Sequence, residues 1–145
     1  MPAWVTQGYE EYARRLPSQC ALRLVEIAPG YRGKGEGPQR AIEQEASKIL
    51  KAIPASAHVV ALDAGGCQWD TAGFARRLGE WLEGGRDVAL LVGGPDGLSD
   101  RCRQRAEVVW SLSKLTLPHP LVRVVVAEQL YRAWSVLQGH PYHRE

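Results

Sequence analysis

The spacing of apolar residues divides the chain into alternating helical and extended segments. From Trp4 to Leu16, Val5, Tyr9, Tyr12 and Leu16 recur at three- and four-residue intervals, a helical stripe that Pro17 closes. Ala21 to Ile27 alternates apolar residues with Arg23 and Glu26, which predicts a strand. Pro38 to Ile53 reads as a helix closed by Pro54, and His58 to Leu62 as a short buried strand ending in Asp63-Ala64-Gly65-Gly66. Asp70 or Thr71 can cap the next helix, which runs to about Glu83 and stops at Gly84-Gly85. Asp87 to Val92 is a near-continuous apolar run, the pattern of a central strand covered on both faces. A glycine turn, Gly93-Gly94-Pro95-Asp96-Gly97, leads to a short helix capped by Ser99 and then to a strand from Val108 to Leu112. The alternation predicts an α/β fold: a mostly parallel sheet with helices on both faces. No repeat, low-complexity tract or linker interrupts it, so residues 1–145 read as a single domain.

Leu121 to Leu137 departs from this pattern, being apolar nearly all round. Such a helix is buried, and a domain of this size has little room to enclose one. A second copy of the chain is the simplest partner, which predicts a homodimer. Glu128 and Arg132 stand in the favourable order for a helical ion pair. The chain then ends with an imidazole, a phenol and a guanidinium side by side at Tyr142-His143-Arg144.

Composition narrows the class without naming it. Hydrophobic residues at 45% and charged residues at 23% fit a soluble globular protein. No apolar run approaches the roughly 20 residues of a membrane helix, and Met1-Pro2-Ala3-Trp4 does not open a secretory signal. The three cysteines form no CxxC pair, so a disulfide framework and a zinc site are not expected, nor any other metal. Reduced thiols in the cytoplasm are the expectation. Net charge is +2, which decides nothing about nucleic acid. The charge is clustered, however, at Arg14-Arg15, at Arg32 and Lys34, and at Arg101, Arg103 and Arg105. Such clusters can follow phosphates, although more often they are solvated faces.

Candidate chemistry gathers at the glycines that follow apolar strands, Leu62 to Gly66 and Val92 to Gly97, because ligands of open α/β sheets bind at the carboxyl ends of strands. Either turn alone reads better as a tight turn and nothing more, and two such turns in one sheet bring the two readings level. The GxGxxG fingerprint is absent, Gly30 to Gly35 has the wrong spacing for a phosphate-binding loop of an NTPase, and no GxSxG elbow occurs. None of the four histidines forms an HxxxH pair. His58 opens a strand and reads as structural. His143 is the best acid–base candidate, since an unperturbed imidazole titrates near neutrality.

Three blocks carry a resemblance. They are Leu90 to Ser99 (LLVGGPDGLS), Trp110 to Arg123 (WSLSKLTLPHPLVR), and the long helix running into His140-Pro141-Tyr142-His143-Arg144-Glu145. Together they resemble the RlmH family. These are small SPOUT-class (trefoil-knotted) enzymes that use S-adenosylmethionine to methylate N3 of a pseudouridine in large-subunit (23S) ribosomal RNA. The resemblance extends more loosely through Arg32-Gly33-Lys34 and Leu62-Asp63 back to Trp4-Val5 and Tyr12. It implies a C-terminal trefoil knot, which topology rules alone argue against. It implies that the cofactor lies against Leu62, Gly93, Gly94 and the loop Leu112, Ser113, Lys114, Leu115, Thr116 and Leu117. It also implies a homodimer, and a catalytic end made of Tyr142, His143 and Arg144. In that scheme His143 accepts or relays the N3 proton while the nitrogen attacks the methyl sulfonium. Arg144 holds a phosphate or the developing imide anion, and Tyr142 stacks on or hydrogen-bonds the base. Arg32 and Lys34, with Arg14 and Arg15, would meet RNA phosphates.

One departure accompanies the resemblance. Family members begin with an apolar strand, whereas here Met1-Pro2 stands almost at the first helix. Either the sequence starts late or is shortened, or this homologue lacks the strand, and without it a sheet edge or apolar slot would be exposed. A non-catalytic ribosome- or RNA-binding module of the same fold is the alternative reading, and cofactor binding discriminates the two. An assembled ribosome is the expected substrate, because so small a protein has little surface for reading RNA by itself.

Overall fold

Three short aliphatic runs build a parallel sheet of order β2-β1-β3 in the computed structural model, which describes residues 1–31, 33 and 37–144. The strands are β1 (His58–Cys67), β2 (Val88–Leu91) and β3 (Val108–Trp110), and the helices are α1 (Ala3–Ala13), α2 (Pro38–Ala52), α3 (Thr71–Gly84), α4 (Asp100–Arg105) and α5 (His119–Leu137). Single 3₁₀ turns lie at Ser18–Cys20 and Pro141–Arg144. Among the described residues no helix is long and apolar enough to cross a membrane.

The chain forms two compact units, one of residues 25–68 and 86–119, the other of residues 1–24, 69–85 and 120–145. The first holds the sheet. Val59 of β1 aligns with Ala89 of β2, and Ala61 with Leu91. On the other side Val60 aligns with Val108, and Leu62 with Trp110. Val59 and Ala61 project to one face, where they pack with Ala46 of α2, Cys102 of α4, Leu91 and Leu98, all buried. Val60 points to the opposite face and is just as buried. The strand covered on both faces is therefore β1, and β2, expected at the centre, is an edge strand. An apolar run reports burial but not position in the sheet. At the opposite end of the strands Arg86 donates to the carbonyls of Ser56 and Ala57 and pairs with Glu107, tying together the starts of all three strands.

In the second unit α1, α3 and α5 meet at small residues. A Cβ on Gly8 of α1 would lie 3.2 Å from Val124 of α5, and one on Gly79 of α3 would lie 3.5 Å from Leu137. Trp69, Phe74 and Trp81 form an aromatic cluster with centroids 5.9–6.3 Å apart. Asp70 caps α3 by accepting from the Gly73 amide at 2.7 Å, and Gly85 ends it in the left-handed conformation at φ 72°.

Two further expectations are corrected. Ala21 to Ile27 forms no strand: Leu22, Leu24 and Ile27 are half-buried and Val25 is 56% exposed, but among the described residues no ladder partner lies alongside. Alternation reports one half-buried face, which an extended connector also has. The strand beginning at His58 does not turn away after Leu62. It continues to Cys67 through a bulge in which Leu62 and Cys67 both oppose Trp110. Gly66 makes this possible, because a Cβ there would lie 2.5 Å from the Val109 carbonyl oxygen.

Candidate functional site

Parallel register places three loops at one edge of the sheet. Ala61 pairs with Leu91 and Leu62 with Trp110, so the bulge after Leu62, the turn after β2 and the loop after β3 all leave the carboxyl edge. The turn after β2 is folded tightly upon itself. Gly94 and Gly97 form an isolated antiparallel bridge, the Gly97 amide donates to the Gly94 carbonyl at 3.0 Å, and Gly97 has φ 83°. A Cβ on Gly93 would lie 2.5 Å from the Gly97 carbonyl carbon, so only glycine fits. Ser99 then caps α4, its hydroxyl accepting from the Cys102 amide at 3.2 Å.

A buried carboxylate sits beneath this turn. Glu45 of α2 is 7% exposed and accepts from the Gly30 amide at 2.8 Å. A Cβ on Gly94 would lie 3.1 Å from its other oxygen. Glu45 thus ties α2 to the start of the basic loop and stands against the glycine turn. Sequence reasoning missed it; the available signal was a carboxylate on a helix face otherwise carrying Ala41, Ala46 and Ile49.

Serines shape the loop after β3. The Ser111 amide donates to the Cys67 carbonyl at 2.7 Å, and the Ser111 hydroxyl donates to the Ser113 carbonyl at 2.9 Å. The Ser113 hydroxyl accepts from the Leu115 amide at 2.9 Å. Lys114, Leu115 and Thr116 are exposed, Leu115 at 75%, while Leu112, Ser113 and Leu117 are half-buried. Leu62 is half-buried too. An edge of backbone turns with exposed aliphatic side chains suits a flat apolar ring system held by main-chain groups. Among the described residues no group of His, Cys, Asp and Glu is arranged to hold a metal ion.

The second cluster lies in the helical unit. Helix α5 ends in a Schellman motif: the His140 amide donates to the Ser135 carbonyl at 2.8 Å, the Gly139 amide to the Val136 carbonyl at 3.2 Å, and Gly139 has φ 69°. That left-handed residue turns the chain back along α5. Tyr142 consequently reaches Glu128, donating its hydroxyl to the carboxylate at 2.8 Å. Arg132 pairs with the same carboxylate at 2.6 Å. The Tyr142 and Tyr131 rings meet in a T-shaped arrangement with centroids 4.6 Å apart. Burial, then the Glu128 carboxylate, then Tyr12 hold the Tyr142 phenol well above its ordinary pKa.

The two tail histidines use Nδ1 in opposite ways. His140 Nδ1 accepts from the Tyr142 amide at 3.1 Å, so its proton sits on Nε2. His143 Nδ1 lies 2.5 Å from the His140 carbonyl, where it can only donate. The Nε2 atom of neutral His143 is thereby the basic one. His143 is half-buried and Arg144 is exposed.

The structure places the expected phosphate-binding arginines differently from one another. Arg14 is exposed and pairs with Glu11 at 2.5 Å. Arg15 pairs with Glu11 at 2.6 Å and lies over the rings of Tyr12, Tyr131 and Tyr142 at 5.2, 5.4 and 5.9 Å. Arg32 and Lys34 fall outside the described residues. Glu128 and Arg132 were legible as a helical pair, but not as the mooring of the chain end.

A family described as predicted SPOUT methyltransferase matches residues 1–143. The chain is similar to a protein of Methylococcus capsulatus named ribosomal RNA large subunit methyltransferase H, at 62% identity over 99% of this chain and 93% of the relative. Proteins of the same name resemble it at 59% identity in Thioalkalivibrio sulfidiphilus, over 100% of this chain and 93% of the relative. In Alkalilimnicola ehrlichii the figure is 60%, over 99% and 92%.

Proposed function

The chain belongs to the SPOUT methyltransferase family, and we propose that it methylates N3 of a pseudouridine in 23S ribosomal RNA, using S-adenosylmethionine and acting on the assembled ribosome in the cytoplasm. One observation supports the cofactor site most strongly. Gly93–Gly94 and Leu112 to Leu117, singled out from sequence, leave the same edge of one parallel sheet, at which Leu62 aligns with Trp110. Exposed Leu115 and the backbone groups of these turns fit an adenine and a folded amino-acid chain. When bound, S-adenosylmethionine supplies an electrophilic methyl group.

The chain's own residues supply the rest. His143 takes the N3 proton on Nε2, since Nδ1 is committed to the His140 carbonyl. Arg144 is exposed, and its planar fork suits a phosphate or the imide anion that develops as N3 loses its proton. Tyr142 belongs to the same end, with its hydroxyl already on Glu128. Arg32, Lys34, Arg14 and Arg15 would meet RNA phosphates. The whole chain acts as one knotted domain, and the apolar helix α5 faces a second copy in a homodimer.

Calorimetric titration with S-adenosylmethionine and, separately, with ATP tests the cofactor site. Saturable binding of the first alone is expected. Methyl transfer to ribosomes lacking the modification then tests the reaction, with His143→Ala and Arg144→Ala expected to remove it. Binding without transfer would favour a non-catalytic RNA-binding module, and full activity in both variants would overturn the roles given to the tail.

A further inference from the structure

We infer that Glu128 is a positioning residue for methyl transfer: through the Tyr142 hydroxyl it fixes the chain end that carries His143 and Arg144. The inference rests on the function proposed above. A chain terminus ordinarily frays, and a single 3₁₀ turn has little stability of its own. Here the turn Pro141–Arg144 is moored at Tyr142 from several sides. The hydroxyl donates to Glu128 at 2.8 Å, the ring packs against Tyr131 in a T-shaped arrangement, and Arg132 lies 5.1 Å from the ring centroid. Arg15 approaches the same ring at 5.9 Å. The Glu128 carboxylate is itself oriented by Arg132, at 2.6 and 3.1 Å, and by the Gln129 amide at 2.7 Å. The raised Tyr142 pKa agrees with a phenol that keeps its proton to donate.

This geometry changes the part given to Tyr142. Its hydroxyl and ring are engaged within its own chain, so it acts as an anchor rather than as a contact to the target base. His143 follows it directly and is joined to the same turn through the His140 carbonyl. Release of Tyr142 therefore displaces His143. A shift of about 1 Å at a reacting group can cost about a hundredfold in rate.

A double-mutant cycle on the full chain tests the inference, with Glu128→Ala, Tyr142→Phe and their combination, and with Glu128→Gln as the variant that keeps an acceptor for the phenol. Two readouts are needed: kcat and KM for methyl transfer to ribosomes, and hydrogen exchange of the amides of residues 140–144 in the free protein. E128A and Y142F should each lower kcat by about tenfold or more, with cofactor affinity unchanged, and the double variant should lose no more than the worse single one. Tail amides should exchange about tenfold faster in E128A and Y142F, and E128Q should stay within about threefold of the parent in both readouts. Losses that multiply in the double variant, or a Y142F protein with parental kcat and tail protection, would overturn the inference while leaving the proposed function intact. A parent chain that binds S-adenosylmethionine but methylates no ribosome would sink the function and the inference together.

Discussion

The Glu45 carboxylate accepts from the Gly30 amide at 2.8 Å, so a buried charge on one helix holds the start of the basic loop fifteen residues upstream. Gly30 is pressed so closely on α2 that a Cβ would lie 2.3 Å from the Ala41 carbonyl oxygen. Gly30→Ala should destabilise the fold by about 1–3 kcal/mol, because backbone cannot yield as a flexible side chain can. Glu45→Ala should cost a similar amount by stranding the amide, and Glu45→Gln less, since an acceptor remains. Gly84→Ala is the control: nothing lies within 4 Å of its Cβ position, and alanine is the better helix former by up to about 1 kcal/mol. Urea denaturation of the four variants checks the order, and a Gly30→Ala protein as stable as the parent would contradict the close approach.

The bulge at Leu62 and Cys67 carries the second prediction. Gly66 lies against the backbone of Val109 and Trp110, whereas a Cβ on Gly65 would meet only the Asp63 carboxylate at 3.2 Å. Gly66→Ala should push β3 away from β1, costing about 1–3 kcal/mol, and should weaken S-adenosylmethionine binding, because the loop from Leu112 to Leu117 hangs from β3. Gly65→Ala should leave both within about 0.5 kcal/mol. Calorimetric titration of the two proteins side by side distinguishes them, and equal affinities would remove the bulge from the account of the site.

Legibility followed the range of the interaction. The Asp70 and Ser99 caps, the breaks at Pro54 and Gly85, and the all-round apolar α5 are written in neighbouring residues, and each was readable, whereas the first helix ends at Ala13, short of the Leu16 end expected from Pro17. Gly65-Gly66 was not: a glycine pair after a strand looks alike whether the chain turns or bulges, and the decision lies with Val109, far along the chain. The same holds for Ala21 to Ile27, whose alternation had no ladder to join. Loop segments proposed for the site were singled out through strand ends, with the family resemblance adding the loop from Leu112 to Leu117. The partners of those segments were not found, because Glu45 under the glycine turn and Glu128 under Tyr142 are set by tertiary folding.

Alkaline pH should loosen the helical unit. Of the five tyrosines, Tyr9 and Tyr142 have phenols raised above the ordinary value of 10.0, Tyr9 by burial and then Glu10, Tyr142 by burial and then Glu128. A raised phenol means the fold favours the protonated form. The unfolded chain therefore loses its protons first as pH rises past about 10, so stability present below that pH declines above it. Urea midpoints measured between about pH 8 and about pH 11 should fall, and Tyr142→Phe should flatten the fall. Parallel curves for parent and variant would show that Tyr142 titrates as it does in the unfolded chain.

Arg14 and Arg15 are neighbours in sequence that the fold sends to different tasks. Arg14 is exposed and shares Glu11, so its charge can also serve a phosphate at little structural cost. Arg15 lies among Tyr12, Tyr131 and Tyr142, where its guanidinium plane covers aromatic surface that would otherwise be wet. Arg14→Ala should weaken ribosome binding, reduce its salt dependence by about one counterion, and leave thermal stability unchanged. Arg15→Ala should instead lower stability by about 0.5–2 kcal/mol and speed exchange of the tail amides. Arg15→Lys should recover only part of that, because an ammonium lacks the planar face that stacks on the rings. Affinity measured across a salt series, together with melting curves, separates the two residues. An Arg15→Ala protein with parental stability but a lowered salt slope would return Arg15 to the RNA-binding surface.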